Sequence, residues 1–115
     1  AQTLALAGAN TFTGLVTVSG GTLLVETGGS LASAVLNNAD LANGGTIAGL
    51  VTNNGTFLTA GRVIGGLVNN GSVQLAGQID GAVTNNGRIT NIGGAMLLGR
   101  FTQAAGGSLN LSGFS

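Results

Sequence analysis

Apolar residues are scattered along this chain singly or in short clusters, flanked by small or polar neighbours. No window sustains the i, i+3, i+4, i+7 stripe of an amphipathic helix, and glycine falls too often for one. Short strands separated by Gly and Asn corners fit the pattern. The pattern also repeats. Asn-Asn pairs stand at Asn37-Asn38, Asn53-Asn54, Asn69-Asn70 and Asn85-Asn86, each 16 residues after the one before. Gly55, Gly71 and Gly87 follow three of the pairs, and Ala39 follows the first.

Stacked on this period, residues 21–100 divide into five units. One column reads Val25, Leu41, Phe57, Val73, Ile89. A second reads Leu31, Ile47, Val63, Ile79, Ala95. A third reads Val35, Val51, Leu67, Val83 and breaks at Gly99. A glycine column reads Gly29, Gly45, Gly61, Gly77, Gly93. A Gly-Gly-Ser-Leu segment at 28–31 recurs at 106–109, as if the tail resumed the repeat with a small deletion.

One such unit cannot bury its own apolar face, but a stack of them can. The period therefore predicts an all-β parallel solenoid with about 16 residues per coil, residue i lying beside i+16. About seven coils, roughly 4.8 Å apart, would make a rod roughly 35 Å long. The apolar columns are expected to point inward. The glycine column is expected to mark a corner needing positive φ. The Asn pairs are expected to mark a second corner, where Asn tolerates the left-handed region and its amide bonds between coils.

Composition narrows the chemistry. Of 115 residues, 23 are Gly and 43% are apolar, which argues against disorder. Only 5% are charged: Arg62, Arg88 and Arg100 against Glu26, Asp40 and Asp80. With zero net charge there is no basic patch for nucleic acid or an anionic membrane surface. No apolar run approaches the roughly 18 residues of a membrane-spanning helix. The start Ala1-Gln2-Thr3 carries no basic leader, so the chain is expected to be the interior of a longer polypeptide.

Catalysis is not expected. The three carboxylates fall in different columns, and no His or Lys is present to activate a Ser or Thr. No metal site or cofactor is expected either, since no Asp follows the Gly-Gly pairs as a calcium-binding β-roll requires and soft ligands are absent. Arg62 and Arg88 read as solvated side chains that blunt surface stacking. Phe12, Phe57, Phe101 and Phe114 read as core or capping residues.

Residues 8–25 carry a longer motif, Gly-Ala-Asn-Thr-Phe-Thr-Gly-Leu-Val-Thr-Val-Ser-Gly-Gly-Thr-Leu-Leu-Val. It resembles the passenger-associated repeat of bacterial autotransporters through Gly8, Asn10, Thr11, Phe12, Thr13, Gly14, Val18, Gly21, Thr22, Leu23 and Val25. Val16 stands where that family favours Thr. The Val-Thr-Asn-Asn-Gly-Thr segment at 51–56 resembles degenerate repeats found further along such passengers. The resemblance implies a right-handed parallel β-helix at the outer surface of a Gram-negative cell, or released from it. The C-terminal membrane barrel of such proteins does not begin within 101–115.

The whole of 1–115 therefore reads as one solenoid fragment, a structural and adhesive stalk that touches host or bacterial surface components through its polar faces. A self-assembling matrix fibre is a second reading, because no polar capping coil is evident at 1–7 or 110–115 and coil-on-coil association is expected. An ice- or carbohydrate-binding solenoid is a third, resting on the Asn rows. The Thr rows are interrupted, Thr52 and Thr84 alternating with Leu36, Val68 and Arg100.

Overall fold

The computed structural model describes residues 3–10, 14–93, 96–97, 99–103 and 107–110. All regular structure among them is strand, and every strand pair is parallel. Three sheets form the sides of a prism. The first holds Thr3–Leu6, Thr22–Val25, Asp40–Asn43, Thr56–Thr59, Ser72–Leu75, Arg88–Asn91 and Ser108–Asn110. The second holds the two-residue strands Ala9–Asn10, Ser30–Leu31, Thr46–Ile47, Arg62–Val63, Gln78–Ile79 and Met96–Leu97. The third holds Val16–Val18, Val35–Asn37, Val51–Asn53, Leu67–Asn69, Val83–Asn85 and Phe101–Gln103. The longest axis measures 33 Å.

Alternation within each short strand builds the core. In Thr56–Thr59, Phe57 and Thr59 are buried while Thr56 and Leu58 face out. In Val51–Asn53, Val51 and Asn53 are buried and Thr52 faces out. Leu41, Phe57, Val73 and Ile89 stack as one interior column, and Leu31, Ile47, Val63 and Ile79 as another. Corner backbone is satisfied by the same stacking: the Asn54, Ala60 and Ile64 N–H groups donate to Asn37, Asn43 and Ile47 carbonyls, each at 2.8 Å.

The 16-residue register holds from Ser30↔Thr46 to Leu75↔Asn91 and fails at both ends. Leu23, not Val25, stacks on Leu41, and Val25 stacks on Asn43. The expected column was thus two residues out of place in its first member. The cause is the turn Glu26–Gly29, which is two residues longer than the turns joining the same two sheets in the next coils. Gly28 takes φ 82° there, a conformation that favours glycine. Near the other end Ile79 pairs with Leu97 and Val83 with Phe101, an offset of 18. The two extra residues fall between Asn91 and Met96, so Gly99 is the corner counterpart of Gly81 rather than a lost core position, while Ala95 lies outside the described residues. Arg88 pairs with Ser108, so the tail carries an insertion, not a deletion. The two Gly-Gly-Ser-Leu copies are not equivalent: Leu31 lies in the second sheet and Leu109 in the first.

The glycine column also has a different cause from the one expected. None of Gly29, Gly45, Gly61, Gly77 or Gly93 has positive φ, and no described non-glycine residue does, the Asn pairs included. Glycine is required instead by close approach. A Cβ would stand 2.2 Å from the Gly29 carbonyl oxygen at Gly45, 2.0 Å from that of Gly45 at Gly61, and 1.9 Å from that of Gly61 at Gly77. At Gly93 it would meet, among the described residues, only the Ala76 side chain, at 3.9 Å.

Two further glycine columns mark the other corners. Gly49, Gly65, Gly81 and Gly99 would each press a Cβ within 2.5 Å of backbone in the preceding coil. Gly55, Gly71 and Gly87 would each do so at 2.2 Å. The 16-residue spacing of Gly49, Gly65 and Gly81 and of Gly55, Gly71 and Gly87 was present in the sequence, and Gly99 follows Gly81 by 18. In these columns side-chain volume, not backbone angle, is what the corner excludes.

Candidate functional site

The Asn pairs divide between interior and surface. Each first member ends a strand of the third sheet and turns inward, so Asn37, Asn53, Asn69 and Asn85 are buried. Their amides form a chain along the axis. Nδ2 of Asn37 donates to Oδ1 of Asn53 at 2.8 Å, Asn53 to Asn69 at 3.0 Å, and Asn69 to Asn85 at 2.9 Å. Asn85 then donates to Oε1 of Gln103 at 2.9 Å.

Each of Asn37, Asn53 and Asn69 also reaches the carbonyl of the first-sheet residue one coil on: Thr56, Ser72 and Arg88, at 2.8, 2.9 and 2.9 Å. The Asn oxygens take N–H groups of the corner, as from Gly71 and Gly87. No buried side-chain N or O among the described residues lacks a partner, as buried amides require. A shorter ladder at the opposite corner joins Asn43 to Thr59 Oγ1 at 3.2 Å and gives way to Leu75 in the next coil.

Removing one rung should be costly. Asn69→Leu roughly keeps the shape but withdraws one partner each from Asn53 Nδ2, Asn85 Oδ1 and the Arg88 carbonyl. The expected loss is about 3 kcal/mol in urea unfolding, from three buried hydrogen bonds lost together at about 1 kcal/mol each. Asn70→Ala, on the surface beside it, should cost within about 0.5 kcal/mol. Equal effects would mean that the interior amides are not the structural pairings described.

The second members form an outer ladder. Asn54, Asn70 and Asn86 donate to Oδ1 of Asn38, Asn54 and Asn70 at 2.9, 2.9 and 2.8 Å. Beside it on the third sheet runs an outward row of Thr17, Leu36, Thr52, Val68, Thr84 and Thr102. The insertion before Phe101 puts Thr102 where Arg100 was expected.

Arg62 is not simply solvated. It lies on the outer face of the second sheet, and its Nε donates to Asp80 Oδ2 at 2.7 Å, with a second, closer bond from Nη2. Gln78 Nε2 donates to Asp80 Oδ1 at 2.6 Å. The sequence held a signal for this pair. Two residues beyond one full repeat is a neighbouring coil on the same outward face. The Arg62 hydrogen bonds, then the Gln78 hydrogen bond, hold the Asp80 carboxyl below the usual carboxylate range. The folded value is thus lower than the unfolded one. The pair's contribution is present above the ordinary carboxylate range and is lost as pH falls through the lowered value. Arg62 is 52% exposed, so screening keeps that contribution small. Asp80→Asn should therefore lower stability slightly at neutral pH and converge with the parent as pH falls through the lowered value, as an acid titration of both proteins would read.

The remaining carboxylates do not join this pair. Asp40 and Glu26 are exposed, Asp40 on the first sheet and Glu26 in the turn that follows Val25. No group of three His, Cys, Asp or Glu converges among the described residues. A cavity of about 340 Å³ opens at the first coil, lined by Leu4, Val16, Thr17, Val18, Ser19, Gly20, Thr22 and Leu23, none of them titratable. Phe57 is in the core and Phe101 packs against it half-buried; Phe12 and Phe114 lie outside the described residues.

A stack of parallel coils with polar ladders inside and out defines a β-solenoid of about six turns. Residues 1–25 match the passenger-associated-transport-repeat family, consistent with an autotransporter passenger repeat. No curated protein and no solved structure matches the chain.

Proposed function

We propose that this chain is a non-catalytic stalk segment of an autotransporter passenger, secreted from or displayed on a Gram-negative cell. The observation that carries the reading is the passenger repeat at 1–25 leading straight into the solenoid: the first strand of the first sheet pairs with Thr22–Val25, which pairs in turn with Asp40–Asn43. The mechanism is mechanical. Each coil is bonded to the next by backbone and side-chain amides, so length accumulates without a separate core, and the outward Asn and Thr rows are free to touch a surface. Grafting the segment between a secretion signal and an autotransporter barrel tests the reading. Protease-accessible, folded segment on intact cells supports it. Retention inside the cell, or loss of display relative to an ungrafted passenger, would overturn it. Adhesion is tested separately, by binding of cells displaying the graft to host cells and to one another.

Self-association into fibres is a second reading, favoured by the exposed aliphatics Leu15, Leu50 and Ile64 on a surface carrying few charges. Sedimentation and electron microscopy over a concentration range test it. A stable monomer with no filaments after long incubation removes it.

A further inference from the structure

The outer ladder contains three Asn-Gly steps, Asn54-Gly55, Asn70-Gly71 and Asn86-Gly87. Asn-Gly is the dipeptide whose side-chain amide is most open to attack by the following backbone nitrogen, because glycine has no side chain to hinder the approach. We propose that the outer Asn ladder is a deamidation lock that opens from Asn86, making Asn86-Gly87 the first self-modification site of this solenoid.

The reaction has two requirements. The Asn amide must swing off its ladder, and the glycine nitrogen must give up its proton. The second is hindered alike at Gly71 and Gly87 and somewhat less at Gly55. Gly55, Gly71 and Gly87 donate their N–H to the carbonyls of Asn37, Asn53 and Asn69 at 3.2, 3.1 and 3.1 Å, and Gly71 and Gly87 also reach Oδ1 of Asn69 and Asn85 at 3.1 and 3.2 Å. The first requirement sets Asn86 apart from both others. Asn54 and Asn70 each give one ladder bond and receive one. Asn86 gives one, to Asn70, and its Oδ1 receives none among the described residues. All three are exposed. One bond fewer makes the opened population of Asn86 about two- to tenfold larger.

In the opened state the Gly87 nitrogen loses its proton to solvent base and bonds to Asn86 Cγ. The Cγ–Nδ2 bond breaks and the amide nitrogen leaves as ammonia with a proton from water. Water then opens the five-membered imide to aspartate or isoaspartate. Either product weakens the next lock. It has no Nδ2 to offer Asn70, and it sets a carboxylate beside the Asn70 amide oxygen. Asn70 is left holding one ladder bond, as Asn86 did before it. Modification therefore travels from Asn86 toward Asn54. Each event adds one negative charge to a chain whose net charge is zero, and the isoaspartate form adds a backbone carbon that disturbs the corner.

The test follows each amide in the folded protein at mildly alkaline pH. Aliquots are unfolded and cleaved after Arg62 and Arg88, which separates Asn54 from the peptide holding Asn70 and Asn86, and fragmentation resolves those two. Asn86 should convert about two- to tenfold faster than Asn70 and Asn54, and all three more slowly than in the same protein held in denaturant. In Asn86→Ala, with its fold checked by circular dichroism, Asn70 should rise toward the parent rate of Asn86 while Asn54 stays as it was. Equal rates at the three steps of the folded protein, a lead by Asn54 or Asn70, or an Asn70 rate unchanged in the variant would overturn the proposal.

Discussion

Phe57→Ala is expected to lower the unfolding free energy by about 3–5 kcal/mol. Phe57 is the largest fully buried side chain, at 0% exposure, and it stacks between Leu41 and Val73 in neighbouring coils. The size of the loss depends on whether the site can collapse into the space left behind. Here it cannot close along the axis, because backbone bonds fix the coil spacing: Thr56 N–H reaches the Ala39 carbonyl at 2.9 Å and Ser72 N–H the Gly55 carbonyl at 2.9 Å. Closure across the prism would require the opposing sheets to move inward through corners already in contact. The upper end of the range is therefore expected. Phe57→Leu, which refills most of the volume, should cost less than about 1.5 kcal/mol. Urea unfolding followed by circular dichroism reads both. A loss under about 1 kcal/mol for Phe57→Ala would mean the interior is not close-packed at this coil.

The period alone was enough to place most of the interior. Where each coil has 16 residues, parity along the strand decides which side chains point inward, so Leu41, Phe57, Val73 and Ile89 were legible as a column. The errors fell where coils change length. A two-residue insertion preserves parity, so Val25 remained buried even though its stacking partner was misassigned. Nothing in the hydrophobic pattern distinguishes one inward position from the next. The Asn pairs were legible as ladders, but not as one ladder inside and one outside. That division also follows from parity, because adjacent residues in a strand face opposite sides. The Arg62–Asp80 pair was missed because the two residues occupy different columns of a 16-residue table, although an outward diagonal joins them. The glycine column was recognised and its cause misread. A sequence offers no means of separating a glycine needed for its backbone angle from one needed for the space it leaves.

That distinction fixes the sign of the last prediction. At a position with ordinary φ and free space, Gly→Ala stabilises a protein by about 0.4–1 kcal/mol, because the unfolded chain loses freedom. Gly61→Ala should do the opposite and destabilise by about 3–5 kcal/mol. Its φ is not the obstacle, since Gly61 lies outside the left-handed region. The obstacle is the preceding coil: the new Cβ would stand 2.0 Å from the Gly45 oxygen and 2.9 Å from the Gly44 and Gly45 carbonyl carbons. Close carbon–oxygen contacts normally lie at about 3.3–3.6 Å, so the corner would have to open by more than about 1 Å. No flexible side-chain end is there to give way. Opening it strains the bonds that hold the corner, Arg62 N–H to Gly45 at 2.8 Å, Gly61 N–H to Asn43 at 3.1 Å and Asn43 Nδ2 to Arg62 at 3.1 Å. Gly93→Ala is the contrasting variant, in the expected column but meeting only Ala76 Cβ at 3.9 Å among the described residues, and it should be neutral to stabilising, by no more than about 1 kcal/mol. Thermal and urea unfolding of the two variants should separate them widely. If Gly61→Ala proves neutral or stabilising, the coils are not held in contact at this corner, and the glycine columns would need another explanation.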